Sequence, residues 1–241
     1  MAINIEIPYT YNDISSHKRL QTSYVGEPEP TGIISSFGKK QTLYIICKYV
    51  AEYMLAAVAF VILLPFMTLV ALLIKLDSSG KIIFKQKRHG YLGKPFNIYK
   101  FRTMVKDAHS LQCKYSELNE MNGGKLFKSK HDPRITRLGR ILRKYSIDEL
   151  PQLVNILKGE MTVIGPRPIS TPLTEYTPEQ LVKFSVKPGL GAIWQAYSRG
   201  ATDFNEWMKL DRQYVENISP GMDLKLLLQI TKTVLTGEGS R

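Results

Sequence analysis

Two adjacent carboxylates, Asp148 and Glu149, stand in the segment Ser146-Ile147-Asp148-Glu149-Leu150-Pro151-Gln152-Leu153. Neighbouring side chains on a helix point roughly a quarter turn apart, so this pair does not flank one bond from opposite sides as a glycosidase requires. It suits a different division of labour, in which one carboxylate attacks phosphorus and the next holds Mg2+. An arbitrary Asp-Glu dipeptide more often does nothing beyond complementing a helix dipole. Here the company is unusual: arginines at 134, 137, 140 and 143 precede the pair at a spacing of three, a broad basic stripe suited to phosphate. Downstream, Gly159-Glu160-Met161-Thr162-Val163-Ile164-Gly165-Pro166-Arg167-Pro168 runs from a turn through a short strand into a rigid loop, which would fix Arg167 with little entropy left to lose. Lys187-Pro188-Gly189-Leu190-Gly191 is a second stiff loop, followed by Trp194-Gln195. In isolation either loop reads as a plain turn.

Several elements must hold these groups. Asp132 followed by Pro133 predicts a helix start, and Ile135, Leu138 and Leu142 continue at helical spacing toward Tyr145. Ser146 to Glu149 fits a capping box, or else Pro151 is the first helical residue; either way the dyad sits at the amino end, where the dipole favours its ionised forms. Ile82-Ile83-Phe84 and Phe96-Asn97-Ile98-Tyr99, separated by Gly90 and Gly93, predict a β-hairpin. His109 to Asn122 predicts a polar helix stopped by Gly123-Gly124, and the run from Asp223 to Ile230 reads as a core helix or an interfacial one.

Between Met54 and Ile74 no residue is charged, a length of about 20 residues that meets the span of a bilayer. Pro65 interrupts it, and both flanks are basic: Lys39, Lys40 and Lys48 before, Lys75, Lys81, Lys85, Lys87 and Arg88 after. A helix that enters, bends at Pro65 and returns satisfies both observations; a single crossing and a buried core helix are the other readings. Residues 1–42 read as an irregular polar arm, 43–76 as the membrane element and 77–241 as the catalytic domain. The first long apolar run begins too late for a signal peptide. Net charge is +12, which admits nucleic acid, an anionic membrane face or a phosphorylated substrate as partner. No nucleic-acid module accompanies it. Cys47 and Cys113 have neither disulfide nor zinc spacing, consistent with a reducing compartment.

Taken in order, KPFNIYKFRTM (Lys94 to Met104), DPRITRLGRILRKYSIDELPQLVNILKGEM (Asp132 to Met161), GPRP (Gly165 to Pro168), KPG with WQ (Lys187 to Gln195) and the final LTGEG resemble the bacterial sugar transferase family. These are monotopic polyprenyl-phosphate phosphoglycosyl transferases of exopolysaccharide and glycoconjugate assembly, and the likeness runs from about Lys48 to the C-terminus. The resemblance implies an α+β fold, mainly helical with a small β-hairpin or sheet, anchored by one re-entrant helix bent at Pro65. It implies a two-step reaction in which Asp148 attacks the β-phosphate of a UDP-sugar and releases UMP. Polyprenyl (undecaprenyl) phosphate then takes the phosphosugar. Glu149, with Asp148, would hold Mg2+; Lys100, Arg102 and Arg143 would contact phosphates, and Arg167 would help hold the donor. The implied location is the cytoplasmic face of the bacterial inner membrane, with no nucleic acid as partner and a homo-oligomer left open. Two departures stand out: the family commonly opens its membrane helix with Lys-Arg and an Asp, where this chain has Lys48, Tyr49 and Glu52, and a small polar residue often precedes the bend proline, where Leu64 stands here. A non-catalytic membrane scaffold of a polysaccharide assembly complex is the alternative from another class.

Overall fold

The computed structural model describes residues 37–108, 110–111, 113–120, 127, 129, 132–197 and 203–237. Most of the expected polar arm, residues 1–36, lies outside the described residues, as do His109, Asn122 and the Gly123-Gly124 stop; within that predicted helix, Cys113–Leu118 forms a 3-10 turn.

A glycine-free, leucine-rich run makes helix α1, Lys39–Asp77, 39 residues long. Tyr44, Lys48, Glu52, Ala56, Phe60, Leu63, Met67, Val70 and Ile74 recur every three or four positions and pack one face against the body along the whole helix. The opposite face is apolar and bare, with Val61 and Ile62 each 70% exposed and Leu76 75%. In water each such side chain forgoes ~1.5–3 kcal/mol of burial, so this face is built for a non-aqueous neighbour. Among the described residues α1 is the one helix long and apolar enough to cross a membrane. With one face bare it is not a buried core helix. The helical run continues through Pro65, and three residues on the Thr68 hydroxyl donates to the Leu64 carbonyl at 2.9 Å, a bond that favours bending.

Lys48 and Glu52 occupy one turn each and tie α1 to the body. Glu52 accepts from the amides of Val163 (2.9 Å) and Ile164 (3.3 Å) and from the Thr162 hydroxyl. Lys48 bridges Glu52 and Asp223, each at 2.7 Å, and Asp223 also accepts from the hydroxyls of Tyr44 and Tyr214. Here the longer Glu52 reaches strand amides that would otherwise be open.

The predicted hairpin is present as β1 (Ile83–His89) and β2 (Pro95–Phe101), antiparallel with Phe84 opposite Lys100, Gln86 opposite Ile98 and Arg88 opposite Phe96. After β2 the chain runs beside the approach to helix α2, Arg137–Lys144, with Thr136 N–H donating to Thr103 O at 3.0 Å. Contact is so close that a Cβ on Gly139 would sit 2.1 Å from that carbonyl oxygen. The helix starts later than the Asp132-Pro133 pair predicts. Asp132 is engaged instead by the Arg134 guanidinium at 2.7 Å, and Thr136 caps α2 by accepting from Gly139 N–H at 2.9 Å.

A 3-10 turn over Ile147–Gln152 leads into α3, Leu153–Leu157. Strands β3 (Thr162–Ile164) and β4 (Gly189–Gly191) pair in parallel, which seats the two stiff loops against each other. A Cβ on Gly189 would lie 2.1 Å from the Gly165 nitrogen, so the backbones touch where glycine alone fits. Four helices complete the fold: α4 (Pro178–Leu181), α5 (Ile193–Tyr197), α6 (Phe204–Glu216) and α7 (Pro220–Thr236). Tyr176, Phe184, Trp194, Phe204 and Trp207 form an aromatic core among them. Helix α7 resolves its two readings by having both faces: Leu226 and Thr233 are buried, whereas Leu224, Leu228 and Leu235 are exposed. The architecture is thus mostly helical with the expected small hairpin, and the parallel pair β3–β4 adds a second small sheet that was not expected.

Candidate functional site

Strand β2 delivers Lys100, the 3-10 turn delivers Asp148 and Glu149, and the loop after β3 delivers Arg167. They converge. The Glu149 carboxylate accepts from Lys100 Nζ at 2.7 Å and from Arg167 Nη2 on one oxygen, and from Arg167 Nη1 at 2.9 Å on the other. Asp148 is buried beside them yet has no such hydrogen bond or ion pair among the described residues.

The two acids therefore sit in opposite electrostatic settings. Burial pushes the Asp148 carboxyl up to about 6, with the Glu149 charge adding to it and Lys100 and Arg143 opposing. Burial would raise Glu149 too, but Arg167 and Lys100 outweigh it and hold that carboxyl well below the usual range. Adjacent carboxylates pushed apart in this way mark distinct roles. The predicted helix dipole is not the cause. Ser146 sits at φ 53°, in the left-handed region, and its side chain forms no cap, so the expected capping box is absent and a 3-10 turn stands where an α-helical end was predicted. Charged neighbours do that work for Glu149, whereas for Asp148 burial prevails and the ionised form is disfavoured, contrary to the expectation for both acids.

Of the arginine stripe, Arg143 alone is drawn into the site: its Nε donates to Thr103 Oγ1 at 2.9 Å and it acts electrostatically on Asp148. Arg134 is held by Asp132, and Arg140 is exposed. Arg102 is placed elsewhere. Its guanidinium bonds Ser78 O and Lys81 O, each at 2.6 Å, and closes the carboxyl end of α1 rather than facing the dyad.

Support for Arg167 was not foreseen. Its guanidinium lies 5.5 Å from the Trp194 ring, which stacks on Trp207 at 4.5 Å. Behind the loop Lys183 donates to the Arg167 carbonyl at 2.9 Å and pairs with the fully buried Asp211 at 2.7 Å. Lys183 and Asp211 lie on separate elements far from the GPRP motif, and no local spacing announces them.

Among the described residues no three His, Cys, Asp or Glu side chains gather closely enough to hold a metal by themselves. The donor set still fits a magnesium ion of the kind completed by substrate phosphates, because Asp148 and Glu149 supply hard carboxylate oxygens side by side. Such an ion would share Glu149 with Lys100 and Arg167.

The model of the family described as bacterial sugar transferase matches residues 43–237. Galactosyl transferase CpsE of Streptococcus agalactiae is 43% identical over 164 residues, covering 67% of this chain, which spans about a third of that relative's length (36%). The exopolysaccharide production protein ExoY of Rhizobium meliloti is 32% identical, covering 88% of this chain and 93% of its own. A UDP-glucose:undecaprenyl-phosphate glucose-1-phosphate transferase of Caulobacter vibrioides is 37% identical, covering 80% of this chain and 71% of its own. With the family model spanning four-fifths of its length and a relative matched nearly end to end, this chain belongs to the bacterial sugar transferase family, a family of sugar-phosphate transferring enzymes.

Proposed function

We propose that this protein transfers a sugar 1-phosphate from a UDP-sugar to polyprenyl (undecaprenyl) phosphate, through a phosphosugar carried on Asp148, as the first membrane step of an exopolysaccharide or glycoconjugate pathway. The observation that carries the proposal is the split dyad: Glu149 is clamped by Lys100 and Arg167, while its neighbour Asp148 is left ungripped among cations. A nucleophile needs a free carboxylate, and phosphoryl transfer otherwise needs mainly position and positive charge.

In the first step a carboxylate oxygen of Asp148 bonds the β-phosphorus. The bond from that phosphorus to the bridging oxygen breaks, and its electron pair leaves with UMP. In the second step an oxygen of polyprenyl phosphate bonds the same phosphorus, the acyl-phosphate bond breaks, and the Asp148 carboxylate returns unchanged. Lys100 and Arg143 flank the reacting phosphate, and Arg167 keeps Glu149 oriented. Mg2+ held by Glu149 and Asp148 would add charge neutralisation on the diphosphate. The reading is tested by incubating the full chain with polyprenyl phosphate and a panel of UDP-sugars: at least one releases UMP in step with lipid-linked product, and failure of every donor would contradict it.

The raised Asp148 carboxyl carries its own consequence. Above about pH 6 the group is ionised and able to attack; below, it binds a proton and nucleophilicity falls about tenfold per unit. Infrared titration of the metal-free protein is expected to reveal a carboxyl band with a midpoint near 6 that Asp148→Asn removes. A midpoint in the ordinary aspartate range would refute the assigned environment.

Topology belongs to the same proposal: α1 dips into the inner membrane from the cytoplasmic face and returns. Supporting it, α1 packs against the body along its length and is tied to it through Lys48 to Asp223 and through Arg102 to the last turn, so neither end is free to lie across a bilayer from the domain. Placed in a background with Cys47 and Cys113 replaced by serine, Lys40→Cys and Lys81→Cys should both resist an impermeant thiol reagent in cells whose inner membrane is sealed. Reaction at one position alone would establish a crossing instead.

A further inference from the structure

Strand alternation puts Gln86 and Arg88 of β1 on the hairpin face that carries Phe96, Ile98 and Lys100, the face from which Lys100 reaches Glu149. Lys85 and Lys87, of opposite parity, are exposed. The Arg88 guanidinium donates from Nη2 to Gln86 Oε1 at 2.6 Å, but its Nε is buried without a hydrogen-bond partner, and it makes no ion pair among the described residues. Its charged neighbours are Arg167 and Glu149, with the neutral phenol of Tyr176 also close, whereas those of Asp148 are Lys100, Glu149, Arg143 and Arg167. Arg88 thus borders Arg167 and Glu149, and Asp148 is not among its main electrostatic neighbours.

A desolvated guanidinium next to a second one, with no carboxylate of its own, is an unfavourable arrangement in the empty protein. Burial, together with Arg167, pulls Arg88 down to about 10, so it is still a cation at neutral pH. Around the dyad, Lys100, Arg143, Arg167 and Arg88 are four cations against two carboxylates, a surplus of two positive charges. A diphosphate diester brings two negative charges and the planar oxygen pairs that a guanidinium fork matches.

We propose that Arg88 is a donor-binding residue that grips the nucleotide-side phosphate of the diphosphate and then the phosphate of the departing nucleoside monophosphate. This rests on the transferase reading above and extends it to a residue on β1. Arg88 would touch substrate at the leaving group, one phosphate away from the bond that Asp148 makes. Because its anion arrives only with the donor, the side chain has no need of a resident carboxylate.

The test compares the full-length protein with Arg88→Gln and Arg88→Lys in lipid nanodiscs, at a temperature well below unfolding. Calorimetric titration with UMP and with UDP is expected to show affinity lowered about 10- to 100-fold in Arg88→Gln and partly kept in Arg88→Lys. The KM for the UDP-sugar rises in parallel, while the KM for polyprenyl phosphate stays put. Thermal stability is expected to hold or increase, since a half-buried cation with no carboxylate of its own has been removed. Unchanged UMP affinity in Arg88→Gln overturns the proposal, as does an equal loss toward the lipid acceptor. If the unaltered protein binds neither nucleotide and releases no UMP, the transferase reading itself falls.

Discussion

Asp148→Asn is expected to lower sugar-phosphate transfer by at least about 10^3-fold while the protein still folds and reaches the membrane. The substitution preserves shape and volume but removes the only protein nucleophile the scheme uses. Asp148 makes no hydrogen bond or ion pair among the described residues, so its loss breaks no structural contact there. Thermal unfolding should accordingly change little or move upward, because a buried carboxyl whose ionised form is disfavoured is being neutralised. A steady-state assay of lipid-linked product beside a melting curve separates the two effects. Retained turnover in the variant would mean that another group attacks phosphorus.

Arg167→Ala should cost about 10^2- to 10^3-fold in turnover, on the order of 3–4 kcal/mol of transition-state stabilisation. Arg167 is the fork that fixes both oxygens of Glu149, and in the proposed scheme it would also help hold the donor as a cation. Without it Glu149 keeps Lys100 alone, its charge is less well compensated, and Asp148 becomes harder to ionise. The rate deficit should therefore grow as pH falls toward 6, which a mere loss of donor affinity would not produce. Arg167→Lys restores charge but not the two-pronged geometry, and intermediate activity is expected. Kinetics of the three proteins between pH 6 and 8 decide the matter; equal deficits at every pH would separate Arg167 from the ionisation of the dyad.

Much of this arrangement can be read in the chain because it is locally encoded. The hairpin follows from apolar alternation broken by Gly90 and Gly93, and the dyad from adjacent carboxylates beside a basic stripe. GPRP and KPG are visible as stiff loops, but their seating depends on a parallel pair of three-residue strands far apart in sequence, too short for any period to show. Local rules fail where a side chain finds a better distant or geometric partner. Asp132 looks like a helix cap and is taken by Arg134; Ser146 looks like a capping serine and adopts a left-handed turn; Arg102 sits in the same motif as Lys100 and closes α1. One further signal was present in the sequence. Arg88 shares parity with Gln86 and stands opposite the apolar Phe96, which places it on the inward face, whereas Lys85 and Lys87 face outward. Lys183 and Asp211 had no such mark, since a buried ion pair between separate elements leaves no periodic trace.

Peptide mass spectrometry after incubation of the protein with a UDP-sugar and Mg2+, and no lipid acceptor, bears on the central claim most directly. The account predicts a gain equal to one sugar phosphate on the peptide that contains Asp148, released when polyprenyl phosphate is added and absent from Asp148→Asn. An unmodified Asp148 peptide from protein that is shown to turn over with both substrates would contradict it, and would point to direct attack of the lipid phosphate on the donor.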